Sequence, residues 1–170
     1  MQKIVIINRG IPASGKSTLA NYIKLQGINI SVDIHSTDSF FMKSDRYIFE
    51  IDKLAQYHKQ NLENFRKSIL NDRDIIICDN TNIEPWEAKP YYEIAKDFGY
   101  KVVLITFKPR DIKDISRDNS KNIPQDIIND MMKKYYSIDS IQQSLISDTI
   151  IEVDNIKNEL DDITKQIIGR

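Results

Sequence analysis

The segment Gly10-Ile-Pro-Ala-Ser-Gly-Lys-Ser17 constrains this chain more than any other part of its sequence. It has the spacing Gly-x-x-x-x-Gly-Lys-Ser, follows the apolar run at residues 4–7 and precedes a segment with helical periodicity. Gly10 and Gly15 allow a tight loop whose N–H groups converge on an anion, helped by the N-terminus of the following helix. The segment therefore predicts a phosphate-binding loop (P-loop) between a buried strand and a helix.

The residue types of this loop suit the phosphates of ATP. Lys16 places a cation at the β- and γ-phosphates, and the Ser17 hydroxyl is positioned to ligate Mg²⁺, so ATP and Mg²⁺ are the expected cofactors. A chance glycine turn is the alternative, and the strand–loop–helix context argues against it. The residues expected to contact the nucleotide are Gly10, Pro12, Ala13, Ser14, Gly15, Lys16, Ser17 and Thr18.

Apolar, β-branched runs alternate with helix-period segments along the chain, which is typical of a parallel sheet covered by helices. The prediction is an α/β fold, a doubly wound parallel sheet of about five strands in one domain spanning residues 1–170. A polar lid segment is expected at about residues 109–123. Predicted strands lie at 4–7, within 29–37, and at 75–78, 101–107 and 149–153; predicted helices lie at 16–26, 50–70 and 84–99, and begin near 124 and 156.

One predicted helix has a well-marked apolar face. Between residues 50 and 70 the helical stripe expected to be buried is Ile51, Leu54, Ala55, His58, Leu62, Phe65 and Ile69. In the next predicted helix, Trp86 lies beside Pro85 in the first turn. Packing is the ordinary role of a tryptophan there, and stacking on a nucleic-acid base is the alternative.

Composition limits the partners. The formal net charge is −1, so a nucleic-acid substrate would have to be held by a local patch rather than by an overall basic field. No run of about 20 apolar residues suggests a membrane span. The N-terminus lacks the pattern of a secretory signal, and the single cysteine, Cys78, fits a reducing compartment. The expected location is the cytoplasm, and the oligomeric state stays open.

Two aspartates follow predicted strands, at the edge where ligands of open α/β sheets collect. Asp38 follows the second strand and is placed to accept the proton of an attacking hydroxyl, while a turn or cap aspartate is the alternative. Asp79 follows the apolar run at 75–78. In P-loop enzymes an aspartate at the end of such a strand orients the ligands around Mg²⁺. The sequence therefore predicts Asp38 as the general base, and Asp79 with Ser17 as the metal site.

Residues 76–87, Ile-Ile-Cys-Asp-Asn-Thr-Asn-Ile-Glu-Pro-Trp-Glu, resemble the polynucleotide 5′-kinase family of P-loop proteins, of the type of the bacteriophage polynucleotide kinase N-terminal domain. They are also similar to P-loop kinase-like ATPases that carry the same Asp-Asn-Thr-Asn segment before Trp-Glu. The P-loop, His35-Ser-Thr-Asp38, Tyr47-Ile-Phe and His58-x-x-Asn61 follow the same pattern in order. The resemblance covers about residues 3–136.

The resemblance implies an ATP-dependent phosphotransferase acting on the 5′-hydroxyl end of RNA or DNA. It implies that Lys16, Asp38 and Arg117 are catalytic. It also implies that Lys121 meets the ATP phosphates from the lid. The residues expected to bind the acceptor are Asp79, Asn80, Asn82 and Arg46.

This sequence departs from the family pattern at the acceptor side. The family has an arginine three residues after the catalytic aspartate, where this chain has Phe41, and Lys121 stands where the lid of the phage enzyme has a further arginine. Arg46 and Arg110 are candidates to compensate. Two other functions therefore remain open: a kinase for a nucleoside, sugar or antibiotic hydroxyl, and an ATP-binding regulatory module without phosphotransfer.

Overall fold

The computed structural model describes residues 1–169 and confirms the predicted α/β fold. A five-stranded, all-parallel sheet has the order β2-β5-β1-β6-β7. The strands of this sheet are β1 (Ile4–Arg9), β2 (Val32–His35), β5 (Ile75–Cys78), β6 (Lys101–Phe107) and β7 (Thr149–Val153). The short strands β3 (Met42–Lys43) and β4 (Arg46–Tyr47) form a separate antiparallel hairpin.

Within residues 1–169, seven α-helices accompany the strands. Helices α1 and α7 pack together on one face of the sheet, while α2 and α3 pack on the other. A 3-10 helix, Thr37–Phe41, follows β2 and carries Asp38. The helices are α1 (Lys16–Gln26), α2 (Leu54–Leu70), α3 (Pro85–Asp97), α4 (Ile112–Arg117), α5 (Gln125–Ser137), α6 (Ser140–Ser144) and α7 (Ile156–Ile168).

The core has two main layers because alternate strand residues point to opposite faces of a sheet. In β1, Ile6 faces the layer formed with α1 and α7, whereas Val5 and Ile7 face the layer formed with α2 and α3. A third, smaller cluster of buried residues includes one residue of α4 and one of α5 and consists of Ile11, Ile83, Ile115 and Ile128.

The predicted buried stripe of α2 was wrong in its first half. Ala55 and His58 are exposed, and Ile51 lies in a 3-10 turn before the helix with 72% of its surface exposed. A 17-residue helix is about 25 Å long, whereas the four-residue strands it covers span about 13 Å. The first turns of α2 therefore project past the carboxyl ends of the strands. The residues that α2 buries are Asn61, Phe65, Ser68 and Ile69.

Several short elements were not predicted, among them the 3-10 helix Thr37–Phe41. The β3–β4 hairpin turns at Ser44 and Asp45, which both have positive φ, as a two-residue loop of type I′ requires. Helix α4 lies inside the segment predicted as a polar lid, and its N-cap Asp111 accepts the N–H of Lys113 at 2.9 Å. Helix α6 follows α5 after two residues. Elements this short leave little periodicity in a sequence.

Across residues 1–169, none of the helices combines the length and the apolar character needed to cross a membrane.

Candidate active site

The P-loop crosses the carboxyl end of β1, the central strand of the sheet. The N–H of Gly10 donates to the carbonyl of Thr81 at 2.9 Å, which ties the loop to the segment after β5. Gly15 has φ +96°, and a Cβ there would lie 2.7 Å from Cγ2 of Ile156. A Cβ at Gly10 would lie 2.8 Å from Oγ of Ser14 and 3.0 Å from Cβ of Phe107. Both glycines of the predicted motif are therefore required by the loop geometry.

The ammonium group of Lys16 is folded into this loop. Its Nζ donates to the carbonyl of Ile11 at 2.8 Å and to Oγ of Ser14 at 3.3 Å, and Lys16 is only 9% exposed. Burial lowers the pKa of Lys16 to about 8, an effect that the carboxylate of Asp79 partly opposes. The loop thus holds a cation that has lost most of its water. An anion bound within the loop would restore its solvation.

Ser17, Asp79 and Asn8 form a hydrogen-bonded group beneath the loop. Oγ of Ser17 donates to Oδ2 of Asp79 at 2.7 Å, and Nδ2 of Asn8 donates to Oδ1 of the same carboxylate at 3.0 Å. Asp79 is 7% exposed and Asn8 1%. Sequence reasoning missed Asn8, although a polar residue directly after the apolar run of β1 marks it. The two residues predicted as a metal site, Ser17 and Asp79, therefore lie in direct contact.

These oxygens suit Mg²⁺. Magnesium is commonly held by one or two carboxylates, with water and substrate phosphates completing its octahedral shell. Ser17 and Asp79 offer a hydroxyl and one carboxylate of that kind, and the amide oxygen of Asn8 is buried beside them without a hydrogen-bond partner in the described chain. Over residues 1–169 no cluster of three or more histidine, cysteine or acidic residues forms a metal site. Ser17 and Asp79 therefore suit a magnesium ion whose other ligands are water and the phosphates of the nucleotide.

Asp38 lies on the 3-10 helix after β2, at the same edge of the sheet. The Tyr47 hydroxyl donates to its Oδ1 at 3.2 Å, and Nζ of Lys121 forms an ion pair with its Oδ2. Burial, followed by the charge of Asp38, raises the pKa of the Tyr47 phenol. Lys121 also acts electrostatically on Lys16, as does Asp38. These charges therefore share one space between the P-loop and the 3-10 helix.

A polar network positions the segment that carries Asp38. Oδ1 of Asn80 accepts the N–H of Thr37 at 2.9 Å, and the hydroxyl of Thr37 is hydrogen-bonded to Nδ1 of His58 at 3.0 Å. Nδ2 of Asn61 donates to the hydroxyl of Tyr91 at 2.8 Å. The sequence pattern His58-x-x-Asn61 marked two of these residues, but their partners are distant along the chain. Asn80 thus braces the candidate base rather than standing free in a pocket.

The other residues predicted to bind the acceptor lie in different surroundings. Asn82 is 2% exposed, and its Nδ2 donates to the carbonyl of Asn8 at 2.8 Å. It therefore restrains β1, and its burial argues against a direct contact with substrate. Arg46 is exposed on the hairpin that also carries Tyr47. Phe41 is fully buried and packs against Tyr47, Phe49 and Tyr57. An aromatic cluster therefore occupies the position of the family arginine.

In the segment predicted as a lid, Arg110 contacts the P-loop, whereas the sequence indicated Arg117. Arg110, directly before α4, donates to the carbonyl of Ala13 at 3.0 Å and to Oδ2 of Asp118 at 2.8 Å. Arg117 is 67% exposed and pairs with Asp114 and Asp118, at 3.1 Å and 3.2 Å. Arg110 therefore bridges the lid and the P-loop, whereas Arg117 pairs within its own helix and at its end.

Trp86 is neither buried nor packed. It is 67% exposed in the first turn of α3, and its indole N–H donates to Oε2 of Glu84 at 3.1 Å. The interpretation of Trp86 as a packing residue was therefore wrong. Cys78, by contrast, is fully buried, and burial raises the pKa of its thiol to about 12, which agrees with an inert core residue.

Known proteins resemble this chain in sequence. NEDD4-binding protein 2 of Homo sapiens is 31% identical over 160 residues, which is 91% of this chain but 9% of that protein. The 2′,3′-cyclic-nucleotide 3′-phosphodiesterase of Rattus norvegicus is 28% identical over 134 residues, which is 77% of this chain and 30% of that protein. The chain thus spans only a minor part of each of these relatives.

Solved structures share the fold at low sequence identity. Kti12 of Chaetomium thermophilum, in complex with ADP-AlF3, has a TM-score of 0.68 at 14% identity over 97% of each chain. A chain of the Pnkp1/Rnl/Hen1 RNA repair complex has a TM-score of 0.65 at 18% identity over 80% of this chain and 45% of that one. Shikimate kinase of Acinetobacter baumannii, in complex with shikimate, has a TM-score of 0.62 at 12% identity over 99% and 94%.

These likenesses show a P-loop kinase-like fold, without singling out the phage polynucleotide kinase type. The family follows from a sequence-family profile described as AAA domain, which matches residues 5–136, well over half of the chain. This chain belongs to the AAA domain family.

Proposed function

We propose that this protein is an ATP- and Mg²⁺-dependent phosphotransferase that phosphorylates the 5′-hydroxyl end of a polynucleotide. The observation that carries the proposal is the placement of Asp38 and Lys16 around one space, with Lys121 paired to Asp38 and acting on the charge of Lys16. A carboxylate and a phosphate-binding loop that face each other are what transfer of a phosphoryl group to a hydroxyl requires.

In the proposed reaction, the acceptor oxygen attacks the γ-phosphorus of ATP. Asp38 accepts the hydroxyl proton as the new O–P bond forms, and the bond from the γ-phosphorus to the bridging oxygen breaks to release ADP. Lys16 offsets the charge on the phosphates, while Ser17 and Asp79 hold Mg²⁺. Lys121 has to leave Asp38 before the base can act, and the phosphates are its natural new partner.

The acceptor class rests on several observations. The segment at residues 76–87 resembles polynucleotide 5′-kinases, and a chain of an RNA repair complex shares the fold over 80% of this chain. Arg46 lies on the hairpin whose Tyr47 contacts Asp38, so its guanidinium is a candidate to meet an acceptor phosphate. A small-molecule kinase is the rival function, because shikimate kinase shares the fold over 99% of this chain.

Transfer of label from γ-labelled ATP distinguishes these functions. The protein is incubated with Mg²⁺ and, separately, with RNA and DNA oligonucleotides bearing a 5′-hydroxyl, the same oligonucleotides bearing a 5′-phosphate, nucleosides, sugars and water alone. We expect label on the 5′-hydroxyl oligonucleotides and none on the 5′-phosphorylated ones. Label confined to small molecules would replace the proposed acceptor, and ATP binding without any transfer would indicate a regulatory module.

The Asp38→Asn variant tests the proposed base. Because an amide cannot accept the proton, kcat should fall by about a hundredfold or more, while ATP affinity stays within a few fold. Asp45→Asn is a matched control, since Asp45 is an exposed turn residue with positive φ, a conformation that asparagine adopts readily. Wild-type kcat in Asp38→Asn would remove Asp38 from the mechanism.

A further inference from the structure

Trp86 presents a large aromatic ring to solvent near the candidate active site. It is the only tryptophan of the chain and is 67% exposed. It lies in the first turn of α3, which begins after the segment that follows β5. The ring is therefore at the carboxyl edge of the sheet, as are the P-loop and Asp38.

The distance from Trp86 to the candidate base is limited by the chain. Asn80 contacts Thr37, which directly precedes Asp38. Six residues of chain lead from Asn80 to Trp86, so their Cα atoms are at most about 20 Å apart. A few nucleotides of an extended single strand span such a distance. A strand whose 5′ end lies at Asp38 can therefore reach Trp86 within a few nucleotides.

The indole is held in place by its edge rather than by its face. Its N–H donates to Oε2 of Glu84 at 3.1 Å, and Nζ of Lys134 lies 3.8 Å from the same oxygen. Glu84 precedes α3 and also donates its own N–H to the carboxylate of Glu87 at 2.8 Å. The ring is thus tethered before any ligand arrives, which lowers the entropy lost on binding.

Two lysines lie beside the ring, and each is loosely paired with a carboxylate. Lys134 offsets the carboxylate of Glu84, and Lys89 lies three residues after Trp86 on the same side of α3. Lys89 is paired with Glu93 at 3.7 Å, with both side chains largely exposed, so this pair is weak and open to exchange. A phosphate backbone can take the place of Glu84 and Glu93 at these two lysines, and lysines beside an aromatic ring are the combination that single-stranded nucleic acid binds.

We propose that Trp86 is a stacking site for a base of the acceptor strand, a few nucleotides 3′ of the hydroxyl that is phosphorylated. This inference rests on the proposed function and adds how the acceptor is held. Since every base has an aromatic face, the site would tolerate any sequence. It would favour oligonucleotides over nucleosides, which end before they reach the ring.

Fluorescence tests the stacking directly, because all tryptophan emission comes from Trp86. A hexanucleotide with a 5′-hydroxyl should quench this emission in a saturable way. A hexamer with the same phosphates but abasic sugars should not quench it, since it can bind the lysines but cannot stack. Equal quenching by both, or by neither, would overturn the proposal.

Kinetics tests whether the stacked base belongs to the acceptor. Trp86→Ala should raise the KM for the hexanucleotide about tenfold while kcat and the KM for a nucleoside 3′-phosphate stay within about twofold. Trp86→Tyr should keep most of the wild-type affinity. Phe98→Ala is the matched control, because Phe98 is a 48% exposed aromatic residue at the opposite end of α3.

The two proposals fail in different ways. If wild-type protein phosphorylates oligonucleotides and Trp86→Ala does so with an unchanged KM, the stacking site is wrong and the kinase assignment stands. If oligonucleotides receive no label, the proposed function is wrong. The fluorescence comparison then still decides whether Trp86 stacks on bases.

Discussion

At the scale of single residues, Lys16 carries a charge where water is largely excluded. Its contacts are a backbone carbonyl and a hydroxyl, so within residues 1–169 no carboxylate is hydrogen-bonded to the ammonium group. In the unfolded chain lysine has a pKa of about 10.4, whereas burial lowers the pKa of Lys16 to about 8 in the folded chain. The unfolded state therefore binds more protons between these two values. Consequently, this residue makes the free energy of unfolding rise with pH across that interval.

The Lys16→Met variant should reveal this destabilisation. Below pH 8 the variant should be the more stable protein, because methionine fills the same space without a charge. The advantage should shrink by about 3 kcal/mol between pH 8 and pH 10.5, measured as the difference between urea unfolding curves of the two proteins. Lys67→Met, on the exposed face of α2, is the control. A constant difference for Lys16→Met would show that burial of this charge has no such effect.

Residue types that the chemistry demands at fixed spacing could be predicted from the sequence. Gly10, Gly15 and Lys16 are such residues, because few other side chains fit that loop. Asn8 and Thr37 were not predicted, since their roles come from partners that are distant along the chain. Arg117 was predicted from its position in the lid segment, but position alone does not show that Asp114 and Asp118 hold its guanidinium.

At the scale of elements, the segment predicted as a lid is attached to the P-loop through Arg110. This side chain joins the carbonyl of Ala13, which has a positive φ of 61°, to Asp118 at the end of α4. The charged hydrogen bond from Arg110 restrains the carbonyl of Ala13. This carbonyl lies in the loop whose N–H groups have to face the phosphates. Arg110 therefore couples the position of α4 to the conformation of the loop.

Paired arginine variants show which lid residue serves the nucleotide. We expect Arg110→Ala to raise the KM for ATP about tenfold through loss of this charged hydrogen bond. Arg117→Ala should change the KM for ATP by no more than about twofold, because exposed ion pairs contribute little. The reverse order of effects would mean that the lid rearranges when ATP binds and brings Arg117 to the phosphates, as the family resemblance implies.

The predictability of elements follows their length and pattern. The bounds of α1, β5, β6 and β7 match the sequence prediction because each has a clear period or an unbroken apolar run. The first turns of α2 have an apolar stripe but are not buried, since they lie beyond the strands that would cover them. Periodicity reports which face of a helix is apolar, whereas burial depends on where its neighbours end.

At the scale of the whole molecule, helix α7 lies against the P-loop. The family match covers residues 5–136, but β7 and α7 follow it and complete the sheet and one core layer. Ile156, at the start of α7, lies so close to Gly15 that a Cβ added there would be 2.7 Å from its Cγ2. The P-loop is therefore shaped partly by a helix more than a hundred residues away in sequence.

A double-mutant cycle separates the two reasons for glycine at position 15. Gly15→Ala should lower both ATP affinity and the free energy of unfolding, because it meets Ile156 and also places a Cβ at a φ of +96°. In the Ile156→Ala background the 2.7 Å contact with Cγ2 is gone and only Cβ of residue 156, at 3.1 Å, stays near the added Cβ. Gly15→Ala should therefore cost about 1 kcal/mol less, and the strain of the positive φ, about 1–2 kcal/mol, should remain. Urea unfolding and ATP titration on the same four proteins measure both effects.

Valine at position 156 provides the matched control for this cycle. Ile156→Val keeps both carbons on Cβ and removes only the outer methyl, so in that background Gly15→Ala should cost as much as in the wild type. Equal costs in all three backgrounds would mean that only the backbone conformation requires glycine, and that α7 can shift away. A cost that falls only with alanine at 156 would show that α7 limits the P-loop through Cγ2 of Ile156, since that is the atom nearest to the added Cβ.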